Sequence, residues 1–331
     1  MRSVLRPLAA LVAVGALALT GCAASDSAAD VDDSADSATT RTVATDQGDV
    51  EIPTDPERIL VLNYALAGYL YNLDVPVATT IPEFADATEG EYSEFWADEA
   101  EEDGTEFILW SSDGFDLEAI LAADPDLIIG GGIGFPLFLA EQVYDELSEI
   151  APTVLVSGDL VTWQEQFDYI ANDVFDEGAK YDELIAAYDE RVAEVAAAIT
   201  PPPAPVSFLA FIADGTAYAL VETVGLPTEF AAVGIEAAPI FADNDFEVYG
   251  SGGDMFELST EQVGQVITQP TVFVMGFSSD DVTAESLAEN PVYASLPAFQ
   301  ADSVYVLPHA SLPGEYDVPL HTLDIIEGMF S

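Results

Sequence analysis

The chain has 331 residues, half of them apolar, with one cysteine and 61 Asp+Glu against 6 Lys+Arg, a formal charge of −55. That balance excludes nucleic acid and anionic lipid headgroups as partners, because the field repels polyanions and counterion release needs basic side chains. The apolar content excludes a disordered chain, the lone cysteine excludes an intrachain disulfide, and so acidic a surface suits high ionic strength, where self-repulsion is screened.

Residues 1–21 read as an export signal. Arg2 and Arg6 make the positive start, and "PLAALVAVGALALTG" is apolar but too short to span a bilayer comfortably. The following Leu19-Thr20-Gly21-Cys22 resembles the lipobox of bacterial lipoproteins. The resemblance implies cleavage before Cys22, lipid (palmitate among it) on that cysteine, and a body held at the outer face of the cytoplasmic membrane by the lipid alone. An ordinary secreted protein is the alternative. Residues 22–42 are Ala, Ser, Asp and Thr with almost nothing to bury, which predicts a flexible acidic tether.

Beyond the tether, "VATDQGDVEIP" predicts a hairpin turning at Asp46 to Gly48. Strand "RILVLN" (58–63), helix "YALAGYLYNL" (64–73) and strand "VPVATT" then give the grammar of a parallel sheet. The same grammar recurs in strand "TEFILW" (105–110), helix "DLEAILAAD" (116–124), strand "DLIIGG" (126–131), helix "PLFLAEQVYDELSEI" opened by Pro136, and strand "TVLVS". The glycine-rich loop at 130–134 has Phe135 where G-x-G-x-x-G needs its third glycine, and it lacks a Walker lysine, so a tight strand-to-helix turn is expected rather than a nucleotide cradle.

Residues 179–199 predict one long helix, apolar at Tyr181, Leu184, Ile185, Tyr188, Val192, Val195 and Ile199, closed by "PPPAP". At about 1.5 Å per residue it is a rod of roughly 30 Å, the width of a small lobe. Alternation resumes with hairpin "VSFLAFI" and "TAYALVE" turning at Asp214-Gly215, helix "PTEFAAVG", helix "STEQVGQVI", strand "TVFVMG", strand "SVYVLP" and last helix "VPLHTLDIIEGMF". Segments "FDLEAILAADPDLII" and "FELSTEQVGQVITQPTVFV" match in kind, so the two halves look like variants of one plan.

The order and spacing of "IPTDPERILVLN", "DLEAILAADPDLII", "YDELSEIAPTV", "STEQV" and "NPVYASLPAFQADSVYVLP" resemble the substrate-binding lipoproteins of ABC importers, in the rigid-helix class that carries ferric siderophores, haem or cobalamin. The implied fold is α/β: two Rossmann-like lobes with mainly parallel sheets joined by one long bridging helix, class III periplasmic binding protein-like. It divides the chain into an N-terminal lobe (43–160), a helical linker (161–203) and a C-terminal lobe (204–331). The implied function is capture of an iron chelate, with a permease and its ATPase as partners and no cofactor or catalysis; a monomer is expected. A surface structural or adhesive lipoprotein is the alternative of another class. The resemblance also implies that one glutamate per lobe docks on the permease, at Glu141 and Glu261, since two separated carboxylates define a register that a bare acidic patch does not.

Enzyme chemistry has little to stand on: there is no G-x-S-x-G elbow, no second cysteine, and only His309 and His321 as imidazoles, too few for a metal cluster. A ligand belongs at loops after the carboxyl ends of the strands. Those loops offer Tyr64, Trp110 and Gly132 in the first lobe and Phe277 and His309 in the second, with Tyr249 and Phe256 on "FEVYGSGGDMF". Each aromatic has a plain alternative as core. No Lys or Arg falls in these loops, which predicts a neutral or cationic ferric complex such as a hydroxamate; haem, ligated by Tyr64, Tyr249 or His309, and cobalamin are the rivals.

Overall fold

The computed structural model describes residues 39–248, 253–277, 281–312 and 314–331; Cys22 and Tyr249 lie outside them. Strand Thr40–Thr45 pairs antiparallel with Gly48–Pro53, forming the expected hairpin. Two five-stranded sheets follow. The first has spatial order Glu106–Phe107, Thr79–Thr80, Ile59–Val61, Leu127–Gly131, Thr153–Val156, and every pair is parallel. The second has order Met255–Leu258, Ala217–Leu220, Val206–Phe211, Thr271–Gly276, Val304–Val306; its last three strands are parallel and its first two return as antiparallel neighbours.

Strand order therefore agrees between the sheets: each runs outward from its first strand to one side, then switches to the other. The central strands Leu127–Gly131, Val206–Phe211 and Thr271–Gly276 are buried at every residue, as expected of strands covered on both faces. No described helix is long and apolar enough to cross a membrane.

Two expected elements are divided. The run "TEFILW" is two short strands, Glu106–Phe107 and Trp110–Ser111, because Leu109 is exposed and Trp110 turns away to pair with Gly114–Phe115 in a hairpin. The helix expected from Pro136 to Ile150 breaks at Val143 into Phe135–Gln142 and Tyr144–Ile150.

The long helix spans Gly178–Ala198, with Tyr188 and Val195 buried and Tyr181, Leu184, Ile185 and Val192 half-buried against the core. It lies beside the terminal helix Asp317–Phe330, and the two run in the same direction. Tyr316 Oη donates to Leu184 O at 2.9 Å, the Arg191 guanidinium reaches Asp324 and Glu327 at 2.6 Å each, and Thr200 N donates to Phe330 O at 2.8 Å. One hydrophobic cluster runs through this seam, from Ile59 and Val61 of the first sheet to Phe208 and Phe273 of the second.

The segment entering the terminal helix is also tied to helix Tyr64–Asn72. Tyr69 Oη donates to Gly314 O, Asn72 Nδ2 donates to Asp317 Oδ2 at 2.8 Å, and Ser93 Oγ donates to Glu315 Oε1 at 3.2 Å. Gly68 is what lets the Glu315 carboxyl in, because a Cβ there would overlap it. We expect Gly68→Ala to cost about 1–3 kcal/mol by overpacking. Combining it with Glu315→Ala should recover part of the loss, so the two costs will not add. Thermal melts of the two single variants and the double variant check this, and simple additivity would show that the two sites are independent.

Candidate functional site

The loops at the carboxyl ends of the strands flanking each switch point meet in one cleft of about 420 Å³. From the first sheet, Ile59–Val61 leads to Asn63, Tyr64 and Ala65, Leu127–Gly131 leads to Ile133 and Gly134, and Thr79–Thr80 leads to Glu83, Phe84 and Ala85. From the second, Val206–Phe211 leads to Ile212 and Thr271–Gly276 leads to Phe277. Trp163, Gln166, Tyr218, Leu226, Glu229, Asp254 and Met255 complete most of the wall.

Asn63 holds the first-sheet side together. It caps helix Tyr64–Asn72 by accepting from Ala65 N at 3.0 Å, and its Nδ2 donates to Gly131 O at 2.8 Å, joining the two loops that flank the switch. Gly131 has φ +88°, and a Cβ there would collide with the backbone of Val156, so the turn into helix Phe135–Gln142 needs glycine for space as well as for conformation. Trp110 Nε1 donates to Pro82 O at 2.7 Å, which fixes the loop carrying Glu83 and Phe84. Phe84 then meets Phe277 of the other lobe, ring centroids 6.2 Å apart.

The cleft lining carries carboxyl groups and no base. Glu83, Glu229 and Asp254 line it, while all four Lys and Arg residues beyond the first 21 lie elsewhere. Arg41 sits 6.0 Å from the Phe175 ring, Arg58 pairs with Asp124, Lys180 with Asp74, and Arg191 with Asp324, Glu327 and Glu194. Burial pushes the half-exposed Glu83 carboxyl up to about 7, with His309 pulling the other way. Tyr64 Oη donates to Glu91 O at 3.2 Å; burial, then Glu83 and Glu315, raises its pKa far above the phenol range, so it is a neutral donor.

Among the described residues there is no group of three or more His, Cys, Asp or Glu placed to hold a metal. An aromatic wall with a few convergent polar groups and no such cluster is suited to enclosing an organic ligand. The family model for periplasmic binding proteins matches residues 90–310, more than half of the chain. The chain belongs to that family. The ferric enterobactin-binding periplasmic protein FepB of Escherichia coli O6:H1 is 26% identical over 303 residues, 88% of this chain and 91% of its own length. YfiY of Bacillus subtilis, a probable siderophore-binding lipoprotein, is 30% identical over 182 residues, 54% of this chain and 51% of its own. Among solved structures, holo-ViuP matches with a TM-score of 0.74 at 22% identity, covering 88% of this chain and 95% of that one. The triscatecholate siderophore binding protein FeuA of Bacillus subtilis, complexed with ferri-bacillibactin, matches with a TM-score of 0.66 at 20% identity, over 87% and 96%. At these identities the solved structures bear on the fold, which is the expected α/β class.

Of the residues singled out in the sequence, Tyr64, Trp110 and Phe277 line the cleft. Gly132 sits just behind the lining, where a Cβ would press on Asn63 and Gln166. His309 lies outside the lining, beside Glu83. Phe256 is 1% exposed on the antiparallel strand Met255–Leu258, stacked on Phe246 at 4.8 Å, so it is core; its neighbour Met255 faces the cleft instead. Glu141 is exposed on helix Phe135–Gln142, and Glu261 is exposed in the first turn of Thr260–Val266, accepting from Gln265 at 3.2 Å.

Sequence reasoning missed Glu83, Phe84, Trp163, Tyr218, Glu229 and Asp254. Position after the strand "VPVATT" was a usable signal for Glu83 and Phe84, by the same strand-end rule that finds Tyr64. Glu229 had none, being one acid among 61.

Glu229 and Glu315 are both buried, and burial pushes each carboxyl from its ordinary 4.5 up to about 8. Thr322 opposes the rise at Glu229. At Glu315, Asp317 adds to it while Ser93 and Trp96 oppose it. Each is the neutral acid near pH 7 when folded and the carboxylate when unfolded. The folded state therefore binds more protons between the two values, and stability falls as pH rises through that window, by on the order of 1 kcal/mol per pH unit for each group. Melting at constant ionic strength from about pH 5 to 8 should show a shallower decline for Glu315→Gln than for the wild type. Parallel declines would mean that Glu315 is ionised in the fold.

Proposed function

We propose that this chain is an extracytoplasmic solute-binding lipoprotein that captures a ferric siderophore in the interlobe cleft and delivers it to an ABC permease and its ATPase. Family membership and the similarity to FepB along nearly the whole chain support the ligand class. The division into an N-terminal lobe (43–160), linker (161–203) and C-terminal lobe (204–331) behind a signal and tether belongs to this reading. So do attachment through Cys22 and a monomeric body acting without catalysis of its own.

One observation carries the choice of chelate: the lining of this aromatic cleft contains no Lys or Arg among the described residues, and its acids include Asp254 and Glu83. A trianionic ferric triscatecholate entering there finds no salt-bridge partner and meets repulsion that aromatic contact does not offset. A neutral or cationic hydroxamate-type complex meets neither cost. Similarity to FepB, a ferric enterobactin-binding protein, favours a second reading, a catecholate such as ferric enterobactin. Haem is less favoured, because Tyr64 is held as a neutral donor to Glu91 and His309 stands outside the lining.

Titrating a ferric trihydroxamate and ferric enterobactin into the protein, read by quenching of Trp110 and Trp163, should give tighter binding of the hydroxamate. Tighter enterobactin binding would sink the charge argument. For delivery, Glu141→Ala and Glu261→Ala should each leave chelate affinity unchanged and lower uptake in cells by about tenfold, a loss set by docking register. Unchanged uptake in both would remove these two glutamates from the permease contact.

A further inference from the structure

The strand-end loops of the two lobes touch through one pair of rings. Phe84 follows strand Thr79–Thr80 of the first sheet and Phe277 follows strand Thr271–Gly276 of the second, with centroids 6.2 Å apart and planes tilted by 60°. Among the described residues this is the one aromatic pair that joins residues 43–160 to residues 204–308.

Exposure separates the pair from the rest of the aromatic wall. Tyr64, Trp110 and Trp163 line the cleft and are buried, so they form its floor. Phe84 and Phe277 also line it but are half-buried, so each ring has the cleft on one side and water on the other. Phe135 and Tyr218 are half-buried too, yet neither meets a ring of the opposite lobe; Phe135 packs on Trp110 and Phe138 of its own.

The backbones beneath the pair are held. Trp110 Nε1 donates to Pro82 O at 2.7 Å and Asp86 N donates to Trp110 O at 3.0 Å, which fixes the Phe84 loop on both sides, and Phe277 N donates to Phe211 O at 2.8 Å. The two ties between the lobes resist hinge motion as well. What moves at least cost is the rings themselves, by rotation about their side-chain torsions.

We propose that Phe84 and Phe277 form an aromatic gate, and that a chelate passes in or out of the cleft only while the two rings are apart. The gate rests on the ferric-chelate reading above and sets how that cleft is entered. The space of about 420 Å³ exists behind the rings while they are in contact, so the pair opens for passage and closes again over the guest. Entry and exit are slowed alike.

An aromatic contact of this geometry favours the closed pair by about two- to tenfold. A guest that needs the open pair associates at a rate scaled by the open fraction, so removing one ring should raise kon by about three- to tenfold. A ring that merely touches the bound chelate gives a different signature: its truncation raises koff and leaves kon unchanged.

Stopped-flow quenching of Trp110 and Trp163 in the mature protein distinguishes the two, with ferrioxamine B, a ferric trihydroxamate, and ferric enterobactin as probes. For each probe that binds, Phe84→Ala and Phe277→Ala should each raise kon about three- to tenfold, with koff rising at least as far because a ring of the wall is lost too. The double variant should exceed either single one in kon by no more than about twofold, since one contact is broken only once. Where circular dichroism shows that one variant does not fold, kon of the other decides. A kon within about twofold of the wild type in a folded single variant, or gains that multiply in the double one, would overturn the gate and leave the ferric-chelate reading in place. Binding of neither probe by the wild type would overturn both.

Discussion

Everything the cleft does depends on two helices lying side by side. Gly178–Ala198 and Asp317–Phe330 share a seam that carries the hydrophobic core from one sheet to the other. Both sheets have their strand-order switch, and the seam holds the two switch points face to face so that five strand-end loops open into one space. Arg191 clasps the terminal helix at Asp324 and Glu327, while Tyr316 and Thr200 bind the helices near either end. Because segment 314–317 is also bonded to helix Tyr64–Asn72, the lobes are tied at two places. A frame of that kind favours small adjustments of loops and side chains over wide hinge motion.

The same frame consumes the chain's positive charge. Arg58 and Lys180 make exposed pairs of the sort worth about 0–1 kcal/mol, so little stability is gained from them. Their consequence for the cleft is larger, because none of these bases stands in its lining. Shape and aromatic lining set the class of guest that fits, and charge decides among guests of similar shape.

The fold was legible where burial is complete. Runs such as "DLIIGG", "VSFLAFI" and "TVFVMG" are apolar because both faces of their strands are covered, and their boundaries fall within a residue or two of the observed ones. Legibility failed where a run changes partner partway: Trp110 belongs to a hairpin rather than to the sheet, and the helix after Pro136 breaks at Val143 without any Gly or Pro to announce it. For the site, position just after a parallel strand was informative for Tyr64 and Phe277. Phe256 was chosen for its place on a glycine-rich loop, and it lies instead in the antiparallel strand Met255–Leu258 with its ring in the core. Carboxyl groups were illegible on principle. A chain with 61 acids offers no pattern to separate the few that are buried from those that face water, and only packing makes that distinction.

Two of those buried acids show what packing adds. Glu229 and Glu315 are shielded alike and shifted alike, yet they stand in different places. Glu315 sits over Gly68, takes a hydrogen bond from Ser93, and lies away from the cleft lining, so its proton serves the tie between lobes. Glu229 lines the cleft, with Thr322 of the terminal helix and the phenols of Tyr69 and Tyr188 around it. Keeping a carboxyl neutral in a dry place is a standing cost to the fold, because the unfolded chain would ionise it. Side-chain donors of the fold offset part of that cost at both, Ser93 and Trp96 at Glu315 and Thr322 at Glu229. What separates the two is position: the proton at Glu315 sits in the tie to helix Tyr64–Asn72, and the proton at Glu229 sits in the wall of the cleft, where it lowers the negative charge that the lining presents.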